Sequence, residues 1–181
     1  MKIKRALLSV WNKANIVEMG EFLFKQDIDI ISTGGTKRVL EDAGIPVKGI
    51  GEITGGGSVM DGRVKTLHPK IFGGILADRE NKNHLLDLKS INSLEIDLIV
   101  INLYPFKSEA VDKKLELEKA IEYIDIGGPS MLRAAAKNFK SVVPLYKPDQ
   151  YTSFIDTYNI YKGMIPLENR KKYAQEVFNH T

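Results

Sequence analysis

The sequence predicts an α/β fold, a mostly parallel sheet with helices on both faces. Three observations predict it. Short apolar runs alternate with amphipathic helical patterns along the chain. Glycine and proline punctuate the joints between them. The most apolar run, Asp97-Leu-Ile-Val-Ile-Asn102, shows no polar alternation, as expected of a central strand buried on both faces.

Arg5 to Val10 reads as the first buried strand, and Trp11-Asn12-Lys13 as the loop leaving it. From Asn15 to Gln26, Ile16, Met19 and Leu23 recur at helical spacing, with Val17, Phe22 and Phe24 widening the stripe. Ile28 to Ser32 is a second strand. It runs through Thr33-Gly34-Gly35-Thr36 into a helix over Lys37 to Ala43, stopped by Gly44 and Pro46. Val47 to Ile50 is a short third strand. Gly49 to Gly62, with Gly51, Gly55, Gly56 and Gly57, reads as a flexible connector. It lacks the G-x-G-x-x-G element of a dinucleotide site.

Short helices are expected over Ile71 to Asp78 and Lys82 to Ser90, and an amphipathic one around Leu117, Ala120, Ile121 and Ile124. Gly127-Gly128-Pro129 opens a further helix, with Pro129 in its first turn. Ser141 to Leu145 is the last strand. Tyr151, Phe154, Ile155 and Tyr158 mark one closing helix, and Arg170 to Asn179 another. No repeat or low-complexity tract divides the 181 residues, which are read as one domain.

Composition narrows the chemistry. A hydrophobic fraction of 43% and a charged fraction of 27% are those of a soluble globular chain. The net charge of +3, from 26 basic and 23 acidic residues, is too mild to argue for nucleic acid. Without Cys there is no thiol nucleophile, and His68, His84 and His180 lack metal-ligand spacing. No metal or cofactor is therefore expected. No apolar run reaches membrane-spanning length and the N-terminus lacks a signal-peptide core, so no membrane partner is expected and the cytoplasm is the default location.

In parallel sheets, ligands gather at the carboxyl ends of the strands. Ser9 and Lys13, then Ser32 to Thr36, fall at that edge. Thr33-Gly34-Gly35-Thr36 has the make-up of a phosphate cradle, with close-approach glycines, helix-start amides and hydroxyls. The same four residues also make an ordinary strand–helix turn with a Thr cap. Asp61 to Gly74 packs Arg63, Lys65, His68 and Lys70 into one basic stretch. In an extended backbone Arg63 and Lys65 point to one side, beside Thr66, and suit a phosphate or carboxylate. A basic surface loop is the competing reading. Gly127 and Gly128 expose helix-start amides just after Asp125, and Lys137 follows about two and a half turns on. No Ser has a His–carboxylate partnership, so a hydrolase triad lacks support.

Taken together, Ser-Thr-Gly-Gly-Thr, Asp-Gly-Arg-Val-Lys-Thr-Leu-His-Pro-Lys-Ile, Asn-Leu-Tyr-Pro-Phe and Asp-Ile-Gly-Gly-Pro-Ser-Met-Leu-Arg-Ala-Ala-Ala-Lys-Asn closely resemble one family. It is the N-terminal IMP cyclohydrolase domain of the bifunctional purine-biosynthesis protein that also carries AICAR formyltransferase. The resemblance runs from about Arg5 to Pro148 and implies a methylglyoxal-synthase-like fold. It implies ring closure, with loss of water, of a purine ribotide, 5-formamidoimidazole-4-carboxamide ribotide. The implied phosphate-binding set is Lys13, Thr33, Gly34, Gly35, Thr36, Arg63 and Thr66. Lys65, Tyr104, Asp125 and Lys137 form the implied catalytic set, with Asn102, Gly127 and Gly128 holding the heterocycle and its oxygens. A homodimer is implied as well.

Three positions depart from the family pattern. Trp11 stands where the family usually has a small Ser beside the phosphate. Phe72 replaces a frequent His, so that His is not essential here. Gly56-Gly57-Ser58 replaces a stiffer apolar-Pro-Glu segment and is expected to loosen the connector. The family's larger transformylase domain has no counterpart in the 181 residues, so the chain is either a naturally separate cyclohydrolase or an excerpt of the longer protein, the abrupt end favouring an excerpt or a truncated gene product, and transformylase activity is not expected. Two other functions fit the fold: a non-catalytic nucleotide-binding regulatory module, and methylglyoxal synthase. The first is disfavoured by the Asp125, Lys137 and Tyr104 set, the second by the long Arg-Val-Lys-Thr-Leu-His-Pro motif.

Overall fold

Five parallel strands stand in the order β3-β2-β1-β4-β5 in the computed structural model, which describes residues Met1–Thr181. They are β1 (Arg5–Val10), β2 (Asp29–Ser32), β3 (Lys48–Gly49), β4 (Leu98–Asn102) and β5 (Val143–Leu145). β1 is the middle strand, with Leu7 level with Ile31 on one side and Ile99 on the other. The first strand has its expected bounds; the second, fourth and fifth begin one or two residues later than expected, and the third pairs only at Lys48 and Gly49.

Alternation along the buried strands sorts their side chains between two apolar layers. Ala6, Leu8 and Val10 join Leu98, Val100, Val143 and Leu145 on one face. There they pack under α1 (Ile16–Lys25), α2 (Gly34–Asp42) and α8 (Gln150–Ile160), through Ile16, Met19, Leu23, Leu40, Phe154 and Tyr158. Leu7, Ile31, Ile99 and Ile101 form the other face. It is covered by α4 (Pro69–Leu76) and α7 (Gly127–Lys137), through Ile71, Ile75, Met131, Leu132 and Ala135, and by α9 (Leu167–His180). Each fully buried Leu or Ile contributes roughly 1.5–3 kcal/mol.

At the amino edge of the sheet, the buried Asp97 accepts from the Lys4 and Arg5 amides at 2.7 and 2.9 Å and pairs with Arg79. Those bonds fix the entry of β1 against β4 and leave the carboxyl edge open for ligands.

Two expectations are corrected. The glycine-rich connector contains α3 (Ile50–Thr54) and a 3-10 turn over Met60–Gly62. The Glu52 carboxylate accepts the Gly49 amide at 2.6 Å, which starts α3, and Gly55 at φ 80° ends it. The amphipathic pattern after Leu117 forms only the short α6 (Leu117–Ile121). Leu117, Ile121 and Ile124 are exposed there, so within this chain much of the apolar stripe stays uncovered. α5 (Lys82–Ser90) has the expected bounds. α7 begins two residues before Pro129, with both glycines in its first turn.

Candidate active site

The carboxyl ends of β1, β2 and β4 deliver three loops to one edge. After β2, Thr33 is extended and α2 starts at Gly34, whose φ of 47° suits glycine. The Gly34 and Gly35 amides lie at the positive end of α2. A β-carbon on Gly34 would lie 3.3 Å from Lys65 Nζ, and one on Gly35 4.0 Å from Lys13 Cε. Two ammonium groups therefore flank the glycine turn, as an anion cradle requires.

Neither threonine of the cradle is free in the way the motif suggests. Thr33 Oγ1 lies 3.0 Å from Ser9 Oγ, joining the two loop starts. Thr36 is buried, and its hydroxyl accepts from the Val10 amide and donates to the Val10 carbonyl, each at 3.0 Å. Its amide bonds to the Thr33 carbonyl at 3.2 Å. Thr36 locks α2 to β1, and its place in a phosphate shell is corrected accordingly.

Lys13 reaches back to the carbonyls of Val10 and Trp11. Burial lowers its pKa below the ordinary lysine value, because the charged form loses water.

Arg63 and Lys65 do not share a side. Arg63 has helical dihedrals, φ −64° and ψ −32°, so strand alternation does not apply to it. Its guanidinium pairs with Glu122, while Lys65 turns to Gly34. The next residue, Thr66, is buried and faces α7, where a β-carbon on Gly127 would stand only 2.7 Å from its hydroxyl.

Asp125 precedes α7 and accepts the Gly128 amide at 2.9 Å. Burial raises its pKa above the usual carboxylate value, and the Gly128 and Gly127 amides partly oppose that rise. A half-buried carboxyl beside helix-start amides, its pKa raised above the ordinary carboxylate value, holds a proton more readily than an exposed one and is a candidate for proton exchange.

Asn102 ends β4 with its side chain largely spent on the chain. Its Oδ1 accepts from the Trp11 and Asn12 amides at 2.7 and 2.8 Å, and its Nδ2 donates to the Asn12 carbonyl at 3.0 Å. The Asn102 side chain also lies beside the buried Tyr151 hydroxyl, so holding a heterocycle is secondary to holding the β1 loop. Tyr104 follows, half exposed, with its ring against Trp11.

Lys137 is not brought to this cluster. It closes the last turn of α7, about 15 Å along the axis from Gly127 at 1.5 Å per residue, and is exposed. Sequence reasoning missed Glu122, which neutralises Arg63 from 59 positions away and carries no local signal. It also missed the pairing of Trp11 with Tyr104.

Comparison with known proteins places this arrangement. The model of the MGS-like domain matches residues 15–130, more than half of the chain. The chain belongs to the MGS-like domain family. A model described as the AICARFT/IMPCHase bienzyme matches residues 135–181. The bifunctional purine biosynthesis protein PurH of Acetivibrio thermocellus is 49% identical over 179 residues, covering 99% of this chain and 35% of that protein. Its counterpart in Leptospira biflexa is 48% identical over 181 residues and is covered to the same 35%. The chain thus spans about a third of the length of these relatives, corresponding to their N-terminal domain. The crystal structure of ForH matches with a TM-score of 0.84 at 35% identity, over 98% of this chain and 92% of that one. The methylglyoxal-synthase-like fold expected from the motifs is therefore the fold of this chain.

Proposed function

We propose that the chain is an IMP cyclohydrolase, closing the ring of 5-formamidoimidazole-4-carboxamide ribotide with loss of water. One observation carries the reading. Lys65 and Thr66 are consecutive, yet the first lies over Gly34 and the second over Gly127. A single segment joins an anion cradle at the start of α2 to an acid–amide cluster at the start of α7. The names of the relatives, which span longer proteins, support the same pathway.

The chemistry makes matching demands. A carboxamide nitrogen is a poor nucleophile until it loses a proton, and the formyl oxygen gains charge before leaving as water. Asp125 takes or orients the carboxamide proton. The Gly127–Gly128 amides, with the Thr66 hydroxyl beside them, stabilise the formyl oxygen, and Tyr104 assists proton transfer. Lys13, Lys65, the Gly34 and Gly35 amides and Arg63 anchor the 5′-phosphate, so that binding energy from the remote end holds the reacting groups together. The reaction itself needs no redox partner or metal.

The proposed activity is placed in the cytoplasm, in one domain over residues 1–181. A homodimer is part of the proposal, supported by the uncovered Leu117, Ile121, Ile124 and Ile126 beside the site. Only a second copy of the chain can give Lys137 a catalytic part.

The test is an ultraviolet assay for IMP formation by the full chain, with Lys65→Ala and Asp125→Asn beside it. Turnover by the wild type and loss in both variants is expected. Full activity in both, or methylglyoxal formed from dihydroxyacetone phosphate in place of IMP, overturns the proposal.

A further inference from the structure

We propose that Trp11 is a positioning residue that holds the Tyr104 ring at the mouth of the site. The role given to Tyr104 rests on the cyclohydrolase reading, whereas the contact rests on geometry alone.

β1 and β4 are neighbours, and Val10 is level with Asn102, so the loops after them leave the edge side by side. Asn102 ties the loops together through the Trp11 and Asn12 backbone. Across this tie the Trp11 and Tyr104 rings lie with centroids 4.6 Å apart at 43°. That spacing falls within the range of attractive aromatic pairs.

Neither ring belongs to either apolar layer of the core. They are 40% and 44% exposed, so each covers part of the other and turns its remainder to solvent. Trp11 is thus the aromatic neighbour that fixes Tyr104. The Trp11 carbonyl also accepts from Lys13 Nζ at 3.1 Å, so the loop that carries the phosphate-side cation carries the wall behind Tyr104. A small hydroxyl residue at position 11 supplies no such wall. This chain exchanges a compact donor for a fixed aromatic ring, and a fixed ring loses less freedom on reaching its reactive position.

Trp11 is the sole tryptophan, so tryptophan emission reports this contact alone. In the full chain, Tyr104→Ala is expected to shift the Trp11 emission to the red and lower its anisotropy. Unchanged emission and anisotropy overturn the contact. In the IMP assay, Trp11→Ser is expected to lower kcat on the order of 10- to 100-fold, leaving KM within about twofold. Trp11→Phe, which keeps a ring, recovers most of the loss. In a Tyr104→Phe background, which has no hydroxyl to place, Trp11→Ser costs nothing further. An equal loss in both backgrounds, or a loss confined to KM, overturns the positioning role. If the wild-type chain forms no IMP, the cyclohydrolase reading falls, and the emission of Tyr104→Ala decides the contact by itself.

Discussion

Arg63 and Glu122 form an ion pair between the 3-10 turn at Met60–Gly62 and the end of α6. The guanidinium assigned to the phosphate is therefore held by a carboxylate of its own chain. Binding a phosphate there means exchanging one anion for another. Glu122→Gln is expected to lower KM for the ribotide several-fold, on the scale of one charge-assisted bond, about 1 kcal/mol. Both partners are well exposed, so thermal stability should move by less than about 0.5 kcal/mol. Steady-state kinetics with a melting curve check both halves, and an unchanged KM means Arg63 does not need release.

Asp125 is expected to give the most severe loss at constant fold. Asp125→Asn keeps an oxygen for the Gly128 amide but cannot take a proton, so the rate should fall by about 10²–10⁴. The stability sign follows from the raised pKa. A carboxyl that ionises less readily when folded gives its full stabilisation below the ordinary value of 3.8 and loses it as pH rises through the raised value. Asn is neutral throughout, so at pH 7 the variant should melt no lower than the wild type. A lower melting temperature there contradicts the burial argument.

Lys13 sets an alkaline limb. Because burial lowers its pKa, kcat/KM should decline below the pH at which an ordinary lysine, at 10.5, would lose its charge. Arginine stays charged, so Lys13→Arg should push that limb to higher pH. A limb that does not move in the pH profile assigns it to another group.

Thr36 separates scaffold from ligand shell. Thr36→Val keeps the shape but strips both bonds to Val10, leaving the buried Val10 amide unpaired and its carbonyl held by Lys13 alone. Urea denaturation should show a loss of about 2 kcal/mol, while KM at temperatures where the variant is folded stays near the wild-type value. A large rise in KM with unchanged stability restores Thr36 to the phosphate site.

The sheet was legible because its strands are buried on both faces. Arg5 to Val10 carries enough apolar residues to be read without context, and its neighbours follow from the strand–helix rhythm. α3 was hidden by its glycines, since the deciding bond runs from the Gly49 amide to the Glu52 side chain rather than from composition. The stripe at Leu117, Ile121 and Ile124 was read correctly as apolar, but a pattern does not say what covers it. In the site, the glycine turns and Asp125 announced themselves through local sequence. Arg63 and Lys65 were paired by a strand rule that the helical dihedrals of Arg63 do not obey. Asn102 and Thr36 looked like ligand groups because residue type reveals a donor, not whether the chain has already used it.

The parallel sheet has a consequence for how the chain acquires its shape. Parallel neighbours cannot be joined by a tight hairpin, so every strand pair closes a long loop. The tie from Lys4 to Asp97 spans 93 positions, and Met1 waits for Ile165, whose amide bonds to its carbonyl. A nascent chain leaving the ribosome holds its central strand with one flank unmatched until β4 emerges, and with the sheet unfinished until β5 follows. Such late, non-local closure makes folding slow relative to helical proteins of this size. It also leaves the apolar first strand exposed to misassociation until β4 has emerged.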